Sequence, residues 1–502
     1  MKKIIYILLA LMPVLGRAQE RVMLIADPHV LPQTLIETEA DFDSYMSRQR
    51  KMVDLSEPIW MALMDTAMKY RPQLLLIPGD LTRDAEPESH AMVVASLLQL
   101  NEAGIQTLVI PGNHDIVNDA AWEESYAWMY ERVVARDPDS HSYAAEPLDG
   151  VTVLGIDGSH TKAATGSLSE QTLAWILAQA DEARRKNHMI IAMSHWQIIE
   201  HMDKQTKLES SCRMKDADAI RDSLMMHGVH VVLTGHFHVN GISTYRDVTG
   251  FIPDSLVEIT TGAPITYPCP YRWLTISEDR TSLSVETQNI TAIDGIPDMY
   301  RYSRAWMAEH THNLIAPMTL RAWNRVDEAM GLIVEQFGET VAQRLMDNCI
   351  PETDSAKVAL VDKHIGNTVV ELYLLYSDAN EPEYPQADSL AQELYREIDA
   401  MIEEALDADP LLKTVLLVPM TLMAEALAQE PVQSLVEDKT QWRSSHPDRT
   451  DDLHLTMRVG DGYVSQDLEE PASGKTAEKV LRDGQLLIRR GGRTYTVTGA
   501  EQ

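Results

Sequence analysis

The hexapeptide Ile110-Pro111-Gly112-Asn113-His114-Asp115 sets an amide, an imidazole and a carboxylate side by side. It follows the apolar run 106–110, which reads as a buried strand. The Pro-Gly pair breaks that strand and turns the backbone. At the carboxyl end of a buried strand such groups look into the crevice where open α/β sheets bind ligands. A solvated Asn/Asp turn is the plain alternative. Four other apolar runs share the arrangement. Run 22–26 ends in Asp27-Pro28-His29, and run 74–77 ends in Pro78-Gly79-Asp80. Run 188–193 leads into Ser194-His195, and run 229–233 into Thr234-Gly235-His236-Phe237-His238. One such ending is ordinary turn chemistry. Five together, each with His or Asp, are not.

The chemistry is that of metal ligation. Imidazole combined with carboxylate and amide oxygen suits zinc, manganese or iron better than calcium or magnesium, which prefer all-oxygen shells. One carboxylate can bridge two metals roughly 3.5–4 Å apart, the arrangement used for phosphoryl displacement. Asp27-x-His29 and His236-x-His238 would place alternate side chains on one side of an extended segment.

The series Asp-x-His, Gly-Asp, Gly-Asn-His-Asp, His, Gly-His-x-His resembles the calcineurin-like metallophosphoesterases, with every metal-ligand position filled. Between the blocks, Ser142-Tyr143, Asp157, Gly166-Ser167-Leu168-Ser169, Gln171 and Trp175 are similar in layout to the branch of cyclic nucleotide phosphodiesterases and purple acid phosphatase relatives. The similarity covers about residues 20–290. It implies that Asp27, His29 and His238 hold one metal and Asn113, His195 and His236 the other, with Asp80 bridging. It implies two divalent or trivalent ions (manganese, iron or zinc) and a metal-bound hydroxide that attacks phosphorus. His114 would then stabilise or protonate the leaving oxygen, and Asp115 would orient His114. Pro28 is a departure that leaves both neighbouring ligands in place. The tyrosine ligand of purple acid phosphatases has no counterpart in Gly79-Asp80-Leu81-Thr82.

The elements that must position these residues alternate. Helices are expected at 58–70, at 88–103 with Gly104 as C-terminal cap, at 169–186 and at 216–227. Strands at 256–260, 272–276 and 283–287 come without long helices and indicate a second sheet. The fold class expected is α/β, a two-sheet β-sandwich flanked by helices, with a C-terminal α-rich accessory domain ending in a β-hairpin. The polar insertion 31–57, with Asp41, Asp43, Arg48, Arg50 and Lys51, reads as a solvated helix, a cap on the pocket being the alternative. The loop Thr266-Tyr267-Pro268-Cys269-Pro270-Tyr271-Arg272 is either a pocket wall or a Pro-rich turn packed on the core. His201 reads as a surface histidine, with substrate contact as the alternative.

A chain of 502 residues exceeds one domain. Met1-Lys2-Lys3 and the apolar run 4–15 have the form of a secretory leader, and Gly16-Arg17-Ala18 places small residues where a peptidase reads. The division expected is 1–18 leader, 19–294 catalytic domain and 295–502 accessory domain, in a periplasmic or extracellular protein without a membrane anchor after cleavage. An uncleaved anchor is the alternative. Accessory helices are expected at 318–330, 331–346, 368–377, 387–406 and 410–428, and a hairpin around Gly491-Gly492. The net charge of −33 argues against nucleic acid as a bulk partner. Cys212, Cys269 and Cys349 are too few for a disulfide scaffold, though a Cys212–Cys269 bridge is open. The expected activity is hydrolysis of a small phosphate ester, with a lean towards diesters. A phosphomonoesterase or nucleotidase is the first alternative, and an inactive binding protein on the same fold the second.

Overall fold

A computed structural model describes residues 19–421 apart from 37–40, 48, 118, 160–162, 202–209, 247–254, 324–325, 380–386 and 419; it also describes 453–459 and the backbone of 478–482, 485–490 and 493–496. The expected leader, Arg48, the end of the 410–428 helix and the Gly491-Gly492 turn lie outside the described residues. No helix among the described residues is long and apolar enough to cross a membrane.

The strands in chain order are β1 (Glu20–Leu24), β2 (Leu74–Pro78), β3 (Gln106–Ile110), β4 (Ala135–Arg136), β5 (Tyr143–Leu148), β6 (Val151–Ile156), β7 (Met189–Ser194) and β8 (Val231–Thr234). There follow β9 (Gly241–Arg246), β10 (Ser255–Thr260), β11 (Pro270–Ile276), β12 (Ser282–Asn289) and β13 (His454–Arg458). Among the described residues they form two large sheets, ordered β13-β12-β11-β1-β2-β3 and β4-β5-β6-β7-β8-β10-β9. β1, β2 and β3 are parallel, as are β6, β7 and β8. β2, β6 and β7 are buried along their whole length, which is why they read as unbroken apolar runs rather than alternating ones. One core serves both sheets. Val22, Leu76 and Val109 of the first share it with Val153, Ile191 and Leu233 of the second. The Tyr143 hydroxyl donates across the layers to the Val109 carbonyl at 3.0 Å. The two-sheet sandwich expected from the strand pattern is the observed fold.

Helices cover the outer faces. Helix Ser56–Tyr70 buries Ile59, Trp60, Leu63, Met64 and Ala67, a single stripe at helical spacing. Its Trp60 indole donates to Ser96 of helix Pro87–Glu102 at 3.1 Å. Gly104 follows that helix with φ 86, the left-handed conformation that glycine adopts without a Cβ penalty. Ser169 caps helix Glu170–Arg185 by accepting from the Thr172 amide. Helix Asp119–Tyr130 was not expected from the sequence. Its apolar residues interleave with acidic ones and leave only Trp122, Tyr126 and Met129 buried.

Among the described residues, the stretch from 299 to 421 is mainly helical, and it begins with Met299–Asn313, a helix the periodicity did not mark. The single helix expected at 331–346 is two, Val326–Phe337 and Glu339–Asn348, because Gly338 between them takes φ 85. The region after residue 295 meets the sandwich in two ways. Tyr267 is buried against Met307, Ile315, Val370 and Leu374. Strand β13 pairs with β12 as an edge of the first sheet, placing Met457 in the main core. At the end of the chain a small sheet joins 485–490 to 493–496 antiparallel, with a third strand at 478–482. A chain ending at residue 295 is therefore expected to bare both Tyr267 and the β12 edge, and to precipitate. Its soluble fraction after expression measures this; a soluble, monodisperse 1–295 chain would contradict it.

Candidate metal centre

Five strands of two sheets end at one place. Asp27 and His29 follow β1, Asp80 follows β2, and Asn113 and His114 follow β3. His195 follows β7, while His236 and His238 follow β8. The site is thus a seam between sheets rather than a crevice in one open sheet. The connecting loops are tied to one another before any side chain is considered. The Asp27 amide donates to the Gly79 carbonyl at 3.2 Å, His29 to Asp80 at 3.0 Å, and Gly235 to His195 at 3.1 Å. The His236 amide donates to the Asp27 carboxylate at 3.0 Å, a bond that joins the two sheets. The His114 amide holds Asp80 Oδ1 at 2.9 Å.

The backbone is strained where the side chains converge. Asp27, His29, Asp80, His236 and His238 have φ between 42 and 65. Each such left-handed residue without glycine's freedom costs of order 1–3 kcal/mol and persists only where its surroundings enforce it. The Asp27/His29 and His236/His238 pairs are therefore not alternating positions of an extended strand, as their spacing suggested. Left-handed turns aim them instead. Neighbouring glycines make room: a Cβ on Gly79 would fall closer than 3.0 Å to the His195 ring, and one on Gly112 or Gly235 equally close to Asp80 or Asp27.

Two donor groups result, Asp27/His29/Asp80/His238 and Asp80/His195/His236, and Asp80 belongs to both. His29 Nε2 lies 3.1 Å from His238 Nε2 and 3.6 Å from Asp80 Oδ2. His238 Nε2 is 3.3 Å from Asp27 Oδ1. In the other group His236 Nδ1 is 3.1 Å from His195 Nε2, which is 3.4 Å from Asp80 Oδ2. Carbonyl acceptors settle two tautomers. His195 Nδ1 donates to Pro78 at 2.8 Å and His236 Nε2 to Ser211 at 3.2 Å, which leaves His195 Nε2 and His236 Nδ1 facing inward. Asn113 Oδ1 and His29 Nδ1 are buried and have no hydrogen-bond partner among the described residues.

Charge is out of balance in a way a cation would correct. Burial holds His29 and His236 well below the ordinary histidine value, and His238 below it, so their lone pairs are available. His195 goes the other way, to about 9: burial opposes its charge, and the Asp80 carboxylate outweighs burial. Asp80 is buried too, yet His195 and His114 keep it well below the usual carboxylate range. A buried carboxylate common to both donor groups, beside a histidine whose pKa it raises, is a place for positive charge. The inward-facing nitrogens and carboxylate oxygens fit transition-metal ligation.

His114 is part-exposed at the lip, its ring 4.8 Å from that of His29 and edge-on to it. Burial opposes its protonation, but Asp80 and a 2.9 Å bond from Nδ1 to Asp84 Oδ1 raise its pKa above the ordinary value. Asp115 was expected to orient His114, and the geometry differs. Asp115 is fully buried and accepts from the Gly112 amide at 2.9 Å, the Leu81 and Thr82 amides at 3.1 and 2.9 Å, and the Thr82 hydroxyl at 2.9 Å. It ties the β3 loop to the β2 loop, and Asp84 takes the orienting place. Asp115→Ala would strand four buried donors, an expected loss of about 3 kcal/mol or more read as an earlier urea midpoint. An unchanged midpoint would contradict this role.

Several sequence expectations move away from the site. Tyr267 is buried and bonds the Tyr300 hydroxyl at 2.7 Å, and Tyr271 is buried against Trp273 with its hydroxyl on Gln288 at 2.9 Å. The aromatic loop is core packing, not a pocket wall. His201 is buried rather than on the surface and pairs with Glu258 at 2.8 Å. Cys269 is a free buried thiol, pushed to about 12 by burial, so no Cys212–Cys269 bridge forms. Lys51, named in the polar insertion 31–57 without a role of its own, reaches with its ammonium to 3.5 Å from His29 Nε2, which favours the cap alternative for that insertion. The signal was its position directly before Met52-Val53, a fully buried apolar pair that fixes the backbone.

Residues 20–240 match the family model described as calcineurin-like phosphoesterase. A protein of Arcobacter nitrofigilis named "Probable glycerophosphodiester phosphodiesterase" is 26% identical over 158 residues, 30% of this chain and 54% of that protein. One of Rhodococcus erythropolis named "Probable cyclic nucleotide phosphodiesterase" is 25% identical over 180 residues, 36% of this chain and 55% of that protein. The chain spans about half the length of these curated relatives. The solved structure of a dimetal phosphatase from Danio rerio superposes with a TM-score of 0.39 at 15% identity, covering 54% of this chain and 96% of that one.

Proposed function

We propose that the calcineurin-like phosphoesterase segment of this chain, residues 20–240, is an active phosphoric ester hydrolase with two metal ions. The observation that carries the reading is the pair of donor groups joined by Asp80. Asp27, His29 and His238 would hold one ion, His195, His236 and Asn113 the other, and Asp80 both. Manganese, iron or zinc would supply Lewis acidity towards a phosphoryl oxygen and lower the pKa of a water for attack. The chain's own residues do the rest. The two sheets hold the ligands rigidly, and the His195–Pro78 and His236–Ser211 bonds fix the ring orientations. His114, whose pKa Asp80 and Asp84 raise, would give the leaving oxygen a proton.

The substrate class favoured is a small phosphodiester. Both named relatives are called phosphodiesterases, and a diester brings a single negative charge to a chain of net charge −33. The test loads the purified protein with manganese, zinc or iron and compares catalytic efficiency on bis-nitrophenyl phosphate and nitrophenyl phosphate. Activity on neither ester, at full metal content, would overturn the hydrolase reading; a clear monoester preference would overturn only the substrate class. Export belongs to the same proposal and rests on the basic start and apolar run of residues 1–15. Mass spectrometry of the exported protein should find Gln19 at its N-terminus.

A further inference from the structure

Lys51 closes the metal centre on the side of His29. Its ammonium lies 3.5 Å from His29 Nε2, the nitrogen that also faces His238 at 3.1 Å and Asp80 at 3.6 Å. The backbone beneath it is held. Met52, the next residue, is fully buried and donates its amide to the Ile265 carbonyl at 2.8 Å. Arg50, the residue before, stacks its guanidinium over the Tyr373 ring at 4.5 Å, so helix Asn367–Asp378 of the C-terminal region grips the same segment. In a chain with 43 basic and 76 acidic residues, a cation delivered to this point is a specific feature.

An ammonium has three donors and no acceptor of its own. The contact that Lys51 makes with His29 uses the lone pair of a proposed metal ligand, and a ligating nitrogen cannot also accept from Lys51. Loading the centre therefore turns the ammonium towards another acceptor at the mouth. The phosphoryl group is the anion the site is built to receive. We propose that Lys51 binds a non-bridging oxygen of the substrate phosphoryl group and sets how well the site takes a dianion. This rests on the phosphoesterase reading above. The charge of Lys51 acts on one net negative charge in a diester and on two in a monoester or in free phosphate, so its removal costs the latter pair more. Through Arg50 and Tyr373 the C-terminal helices hold the segment that carries this determinant.

The experiment uses the metal-loaded full chain, Lys51→Met and Lys51→Arg, with metal content and melting temperature measured on each. Calorimetry reads the binding of inorganic phosphate, and kinetics read both nitrophenyl esters. Lys51→Met should keep its metals and bind phosphate roughly ten- to hundredfold more weakly, the range for a hydrogen bond to a charged group. Its efficiency on the monoester should fall further than on the diester, and Lys51→Arg should recover part of both. Wild-type phosphate affinity in a loaded Lys51→Met protein would overturn the role of Lys51 and leave the hydrolase reading standing. Loss of metal from both variants would also overturn it, since Lys51 would then serve the ion site. A loaded wild type that neither binds phosphate nor cleaves either ester would overturn the hydrolase reading itself.

Discussion

Asp80→Ala is expected to empty both halves of the centre at once. Asp80 is the member common to the two donor groups, and its Oδ2 lies 3.6 Å from His29 and 3.4 Å from His195. Removing it takes the shared anion from each group: the first keeps only Asp27 as a carboxylate, and the second keeps none. His29→Ala takes a ligand from one group only, so that variant should lose mainly one ion. Elemental analysis of the three proteins, purified alike, separates the cases. The rate lost in Asp80→Ala should exceed the roughly 10²–10³-fold that removal of one electrostatic stabiliser costs. A fully loaded Asp80→Ala protein would contradict the bridging role. The fold should survive, because the loops around Asp80 are also tied by backbone bonds and by Asp115.

His114→Ala should do the opposite: keep the metals and lose the rate. The His114 side chain is in neither donor group, although its backbone amide holds Asp80. An expected loss of about 10²–10⁴-fold follows from removing one positioned acid. The loss should shrink for nitrophenyl esters, whose leaving group needs little protonation, and grow for alkyl esters. Asp84→Asn should give a smaller loss of the same kind, because it removes one of the two carboxylates, Asp80 and Asp84, that raise the His114 pKa while leaving the ring. That raised pKa also has a sign: a group that must be protonated loses activity as pH rises, so the alkaline limb of the pH–rate profile should move down in Asp84→Asn. Equal losses on good and poor leaving groups would point to positioning rather than proton transfer.

Much of this was legible because it is local. Runs 74–77 and 106–110 announce strands by apolar character and end in Pro-Gly or Pro-Gly-Asp signals. The polar residues after them stand where strand ends must put them. Gly104 marks a helix end, and Ser169 a helix start, by chemistry confined to a few residues. The errors were also local in origin. Asp115 follows His114 in the chain, and adjacency suggested a pairing; the fold turns Asp115 inward to four donors and brings Asp84 to the ring instead. Tyr267 and Tyr271 were polar-edged aromatics on a loop, and only packing reveals that both are covered.

By itself the sequence determined the strand ends, the donor types and the helical nature of much of the chain after residue 295. Each depends on residues close together along the chain, through hydrogen-bonding capacity, backbone preference and apolar period. Only the tertiary structure decided which donors face which. The Asp27–His236 bond spans 209 positions, and His195 Nδ1 finds Pro78 across 117. It also decided that β1 to β3 and β7 to β8 belong to different sheets, that β13 returns to the first, and that Lys51 leaves its polar insertion for the metal centre. Such meetings are set by how two sheets share one core and by left-handed backbone at five of the proposed ligands. Strain of that kind is sustained by surroundings assembled from the whole chain, and no short window of sequence contains them.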